Sequence, residues 1–197
     1  MGYLRFWDML PPTNGSFEVR KVGASESEQS LLSGSAYAYS SYVEFAVGRY
    51  QLAVFKKGDR KAALKVLNID LKPETFFTIL VSPKGGVITV EAFDDTNDPK
   101  TTTGTLTIRN YFSGLTVDVS AGAQKIVDAL PYGESRIATD LPLGKLPLTL
   151  HSRLPNGTPA ESSAEADFNA SNRATLLIIP DSYGRFRPRV TIDGKNR

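Results

Sequence analysis

The sequence predicts an all-β protein of two tandem immunoglobulin-like sandwiches related by internal duplication. Three observations point there: apolar residues recur with period two, turn signals recur every 8 to 15 residues, and one order of patterns occurs twice. Leu115, Val117 and Val119 alternate with Thr116, Asp118 and Ser120, and Phe17 and Val19 alternate with Glu18 and Arg20. Period two puts one set of side chains on each face of a sheet. Thr13-Asn14-Gly15, Gly58-Asp59, Lys84-Gly85-Gly86, Ala121-Gly122, Leu143-Gly144 and Pro155-Asn156-Gly157 break the runs. That spacing suits a sandwich better than βαβ units.

Expected strands in the first half are 16–22, 27–34, 39–46, 49–56, 62–71, 75–82 and 86–93. In the second half they are 105–111, 114–120, 123–129, 134–140, 145–151, 161–168, 173–179 and 187–193. The stretch 60–67 has good helix propensity, yet its counterpart near 161–167 alternates, so a strand is expected.

The repeat is read from four matches. Residues 15–22 resemble 104–111, each a glycine followed by an alternating run with Arg20 or Arg109 at the same place. Residues 48–55 resemble 144–151, 69–71 resemble 166–168, and 76–83 resemble 173–180. A shared order at a nearly constant offset is how a duplicated unit shows in sequence. The polar run from Asp94 to Thr103 reads as a connection. The expected organisation is therefore an N-terminal extension over 1–14, a first sandwich over 15–95, a linker over 96–103 and a second sandwich over 104–197.

Composition narrows the function. The 197 residues include 23 basic and 21 acidic side chains, a net charge of +2. This gives no electrostatic case for nucleic acid. With no cysteine and only His151, disulfides, thiolate metal sites and multi-histidine metal sites within the chain are excluded. Gly-x-Ser-x-Gly and phosphate-binding glycine patterns do not occur. No apolar run reaches the length of a transmembrane helix, and the start does not read as a signal peptide. No catalytic residue, metal site or cofactor is expected. The acidic stretch Asp94 to Asp98 has carboxylates for glycoside chemistry or calcium, but it lacks an EF-hand's spacing and closing glutamate; solvated charge is the plainer reading.

Aromatic and basic clusters remain as candidate binding residues. Trp7, Tyr37, Tyr39 and Tyr42 offer rings for a sugar or a partner, and simple burial is the competing reading. Arg185, Phe186, Arg187 and Arg189 form a basic hairpin suited to an anionic polysaccharide, with a solvated hairpin as the alternative.

The phrases Leu10-Pro11-Pro12-Thr13-Asn14-Gly15-Ser16-Phe17-Glu18-Val19-Arg20, Leu115-Thr116-Val117-Asp118-Val119-Ser120-Ala121-Gly122 and Leu141-Pro142-Leu143-Gly144 carry a resemblance. The second and third resemble tandem β-sandwich repeats of bacterial cell-envelope proteins. The first resembles the mature start of the AlgF family, periplasmic factors in alginate O-acetylation. That resemblance implies a periplasmic or otherwise extracytoplasmic protein, its signal peptide already removed. It implies a non-enzymatic accessory role through contacts with protein components of a polysaccharide-modifying complex. The polar 23–30 stretch departs from the expected strand pattern. A secreted or surface carbohydrate-binding or adhesion module is the alternative.

Overall fold

The computed structural model describes residues 1–23, 30–59, 61–84, 86–97, 100–154, 156–181 and 184–194. The chain divides into two compact units, Met1–Thr96 and Asn97–Lys195. Apart from a short 3-10 turn at Pro12–Asn14, the regular structure of the described residues is all strand.

In the first unit the strands are β1 (Gly2–Asp8), β2 (Phe17–Lys21), β3 (Leu32–Gly34), β4 (Ala38–Tyr39), β5 (Val43–Phe45), β6 (Gly48–Lys56), β7 (Ala63–Leu71), β8 (Phe76–Lys84) and β9 (Val87–Asp94). One sheet runs β4-β1-β8-β9, with β5 also on β1; the other runs β3-β2-β6-β7. In the second unit they are β10 (Gly104–Asn110), β11 (Val117–Ala121), β12 (Gln124–Leu130), β13 (Ser135–Leu141), β14 (Lys145–Arg153), β15 (Pro159–Asp167), β16 (Arg173–Pro180) and β17 (Phe186–Ile192). Its sheets run β13-β10-β16-β17 and β12-β11-β14-β15.

Each unit buries one core between its two sheets. In the first, Leu4, Phe6, Ile79 and Val81 meet Phe17, Val19, Leu52, Val54 and Ile69. In the second, Leu106, Ile108, Leu176 and Ile178 meet Val117, Val119, Leu148 and Leu150. These are the alternate residues of each strand, as sheet-on-sheet packing requires. Ala63–Leu71 of the expected 62–71 strand form β7, paired along β6, so tertiary pairing overrides the local helix propensity.

Two expectations change. Residues 2–8, expected to lie outside the first sandwich, form β1, an interior strand of its sheet, parallel to β8 from Tyr3↔Phe76 to Asp8↔Val81. Leu4 and Phe6 enter the core while Arg5 and Trp7 are buried on the other face. A strand buried on both faces loses the polar alternation that marks a half-exposed one. The repeat alignment also shifts. Residues 17–21 lie between β3 and β6, the place that β11 holds in the second unit. The partner of β10 by position is β1, since β10 runs parallel to β16 from Thr105↔Arg173 to Asn110↔Ile178. The other three matches hold the same positions in β6 and β14, at the ends of β7 and β15, and in β8 and β16. The expected 39–46 strand is interrupted between β4 and β5, and residues 27–29 of the expected 27–34 strand lie outside the described residues.

The positional correspondence extends to packing. A Cβ on Gly2 would lie 3.0 Å from Leu71 Cβ, and one on Gly104 would lie 3.0 Å from the Phe168 ring. Each glycine lets its strand close on the end of the opposite sheet. Asp8 and Asn110, both fully buried, end the equivalent strands. The Asp8 carboxylate accepts from Leu10 N–H at 3.2 Å, and Asn110 Oδ1 from Phe112 N–H at 3.0 Å. Their second atoms differ. Asn110 Nδ2 donates to the carbonyls of Leu115 and Leu130, whereas Asp8 Oδ2 is buried without a hydrogen-bond partner. Leu130 faces Val117 where Gly34 faces Phe17, and a Cβ on Gly34 would come within 3.2 Å of Asp8.

Burial raises the Asp8 carboxyl from 3.8 to about 6, opposed only partly by the Leu10 N–H. The folded chain therefore holds this proton more tightly than the unfolded chain. Stability from this group is full below about pH 4 and declines as pH rises towards 6. Asp8→Asn supplies the amide found at Asn110. It should raise the melting temperature by about 5 °C at pH 7.5 and by much less at pH 4. Melting curves at the two pH values check this.

Candidate functional site

The sequence-selected aromatics split into buried and exposed members. Trp7 is 2% exposed and Tyr42 8% exposed, so neither offers a free ring face. Both are held by Arg5. Its guanidinium carbon sits 3.9 Å from the Trp7 ring centroid and 4.4 Å from that of Tyr42. Arg5 Nε donates to Thr78 Oγ1 at 2.6 Å, Thr78 Oγ1 donates to Asp95, and Arg5 Nη2 lies 3.4 Å from Asp95 Oδ2. Tyr42 O–H donates to the same carboxylate at 2.9 Å. Tyr42 also packs edge-on against Phe76, which stacks on Tyr3 with centroids 4.6 Å apart. The break between β4 and β5 frees Tyr42 to fold over this face. Phe6 N–H donates to Ser40 Oγ there, and Ser40 N–H to the Phe6 carbonyl.

Tyr37 is half-buried in a left-handed turn conformation at φ 51°, and Tyr39 is 41% exposed on β4. The four aromatics thus form no common platform. In the acidic stretch, Asp94 accepts from Thr96 N–H and Asp95 serves Arg5; Asp98 lies outside the described residues. Among the described residues no group of three His, Cys, Asp or Glu side chains is placed to hold a metal. No helix among them is long and apolar enough to cross a membrane.

The carboxy-terminal basic cluster is present but largely paired. Arg185 Nε bonds Asp181 at 2.7 Å and Arg187 Nε lies 3.6 Å from the same carboxylate. Phe186 packs roughly perpendicular to Phe112, and Arg189 is exposed on β17.

An open groove of about 650 Å³ that sequence reasoning did not find crosses the outer face of β11, β14 and β15. Antiparallel register puts Asp118, His151 and Glu161 side by side on three neighbouring strands. His151 Nδ1 is 3.5 Å from Glu161 Oε2. Asp118 accepts from Ala129 N–H at 2.8 Å, where Ala129 takes φ 49°. That N–H, seconded by Lys125, holds the Asp118 carboxyl below its ordinary value. Arg153, Thr116 and Asp128 also line it. Ser152, beside the histidine, donates its hydroxyl to the Thr116 carbonyl. The result is a shallow polar surface of acceptors and cations, suited to hydrogen bonding with a polar partner. The signal in sequence was the polar half of each alternation, which marks an outer face without saying what it meets.

A second depression, about 540 Å³, lies in the first unit around Arg49, Gln51, Asn68 and Asp70. Gln51 Nε2 donates to Asn68 Oδ1 at 3.4 Å, and Arg49 stands opposite Asp70.

No family model matches the chain, and no curated protein matches it. Among solved structures the chain is similar to CBMbc (family CBM26) from Eubacterium rectale Amy13K in complex with maltoheptaose. The identity is 12%, the coverage 96% of each chain and the TM-score 0.30.

The Arg5 cluster joins β1, β8, the residue after β9 and the β4–β5 connection. Arg5→Met removes the guanidinium from the buried Asp95 and should cost about 3–5 kcal/mol, while Tyr42→Phe, which removes the hydrogen bond to Asp95, should cost about 1–2 kcal/mol. Urea unfolding of the two variants gives the ranking.

Proposed function

We propose that the chain is a non-enzymatic, AlgF-like adaptor of the periplasm, built by duplication of one immunoglobulin-like sandwich. It supports O-acetylation of an exopolysaccharide by holding two different protein partners. The observation that carries this is the divergence of two equivalent outer faces over matched cores. Ala53 faces Val66 where Thr149 faces Ser163, and Phe55 stands where His151 stands. Val66 is 45% exposed opposite the buried Ala53, while the second unit turns its polar groove outward. Repeated frameworks with unlike faces suit an adaptor, because each face can select its own partner. The residue phrases that resemble the AlgF family supply the biological setting. The dispersal of Trp7, Tyr37, Tyr39 and Tyr42 favours this reading over a sugar-stacking module.

The test is capture of partners from detergent-solubilised cell envelope by the tagged protein, identified by mass spectrometry. Wild type should retain polysaccharide acetylation components. Val66→Asp and Ser163→Arg should each lose a different one. Loss of the same protein by both variants, or retention of no acetylation component by wild type, would sink the proposal.

A further inference from the structure

The β6–β7 hairpin concentrates charge that the whole-chain total conceals. Residues 56–65 hold five basic side chains and one acidic, net +4, against +2 for the full sequence, so the remaining 187 residues sum to −2. Lys56, Lys57, Lys61 and Lys65 are all exposed. Among the described residues none of the four lies within ion-pair distance of an acidic side chain. The single carboxylate of the run, Asp59, is engaged with the turn itself, accepting from Lys61 N–H at 3.0 Å and Ala62 N–H at 3.4 Å. The contrast with the carboxy-terminal hairpin is direct, since there Asp181 lies against both Arg185 and Arg187.

The hairpin also stands clear of the core. Ala63, Leu64, Lys65 and Val66 are successive residues of β7, pointing to alternate faces, and all four are exposed. Only from Leu67 onward does one face become covered. The arm is nonetheless firmly rooted. Lys57 N–H donates to the Ser16 carbonyl at 2.8 Å, Asp59 N–H to the Lys56 carbonyl at 2.9 Å, and Gly58 takes the left-handed conformation the turn needs at φ 87°. Like charges held together on a fixed arm repel one another, and an anionic chain along the arm relieves that repulsion while releasing its own counterions.

We propose that this arm is a binding site for an anionic polysaccharide, carboxylated or sulfated, lying along the lysines of the first unit. The four described cations are lysines, compact point charges that read charge density along a flexible chain. Residues 56–65 contain no aromatic ring on which nucleic acid bases could stack. Leu64 and Val66, 43% and 45% exposed, are a small apolar contribution beside what insertion into a lipid surface requires. The lysines border the Val66 face proposed above, but the polysaccharide titration reads their charge alone and stands or falls without partner capture.

The full chain should be titrated with fluorescently labelled polygalacturonate and, separately, heparin, at low and at physiological salt. Wild type should bind at least one of them, with affinity falling steeply as salt rises. Lys57→Glu/Lys61→Glu should weaken binding about tenfold or more and flatten the salt dependence. Lys57→Arg/Lys61→Arg should retain it. Arg185→Glu/Arg187→Glu, an equal change in net charge, should alter it less than about twofold if the arm is the site. Thermal melts of all variants establish that each is folded. Equal losses in the two Glu pairs, no binding of either polysaccharide by wild type at low salt, or tighter binding to single-stranded DNA or to anionic phospholipid vesicles would overturn the proposal.

Discussion

The first unit is organised around a buried cation. Arg5 lies on an interior strand, 3% exposed, between two aromatic rings and beside the Asp95 carboxylate. A buried guanidinium is costly unless its charge and its donors are answered. Here the answers come from Thr78 on β8, Asp95 just beyond β9, and Trp7 and Tyr42. Satisfying one side chain thus fixes the ends of several segments. The interruption between β4 and β5 follows from the same demand, since a continuous strand there would not bring Tyr42 over Arg5. The second unit solves the corresponding position differently. Thr107 faces Thr175 as Arg5 faces Thr78, and Thr175 donates to Asp193 at 2.8 Å. The threonine–aspartate contact is common to both units.

Core matching and face divergence are separate consequences of sheet geometry. Successive residues of a strand serve different masters, one set packed inside and the other free to meet a partner. The interior positions therefore trade volume locally: Phe6 with Gly34 in one unit, Ile108 with Leu130 in the other. Such pairings of large with small residues fill a core with different sequences. Outside, nothing imposes that conservation of volume, and Phe55 and His151 can stand at equivalent places.

The strands with one wet face were legible in sequence, because Leu146, Leu148 and Leu150 alternate with polar neighbours and glycine or proline marks the ends. The strand at 2–8 was hidden because Tyr3, Leu4, Phe6 and Trp7 give no period, and because its pairing is parallel to a strand more than seventy residues away. Trp7 and Tyr42 read as candidate binding rings from the same residues that make them packing partners; only their distance to Arg5 separates the roles. The groove of the second unit depends on cross-strand register, which brings Asp118, His151 and Glu161 together from positions far apart in the chain. The lysine arm was present in the sequence as a run, but net charge averaged it away, and its exposure on both faces is a property of the fold.

The parallel pairing of β1 with β8 has a bearing on how the chain comes into being. Leu4, Phe6 and Trp7 are made early, yet the strand that flanks them ends at Lys84. Until that segment emerges, β1 has only the short strands β4 and β5 to pair with, and the wait recurs between β10 and β16. Topologies of this kind close late and expose sticky intermediates meanwhile. The β3-β2-β6-β7 sheet needs residues only as far as Leu71, so it can pair before β8 takes its place beside β1.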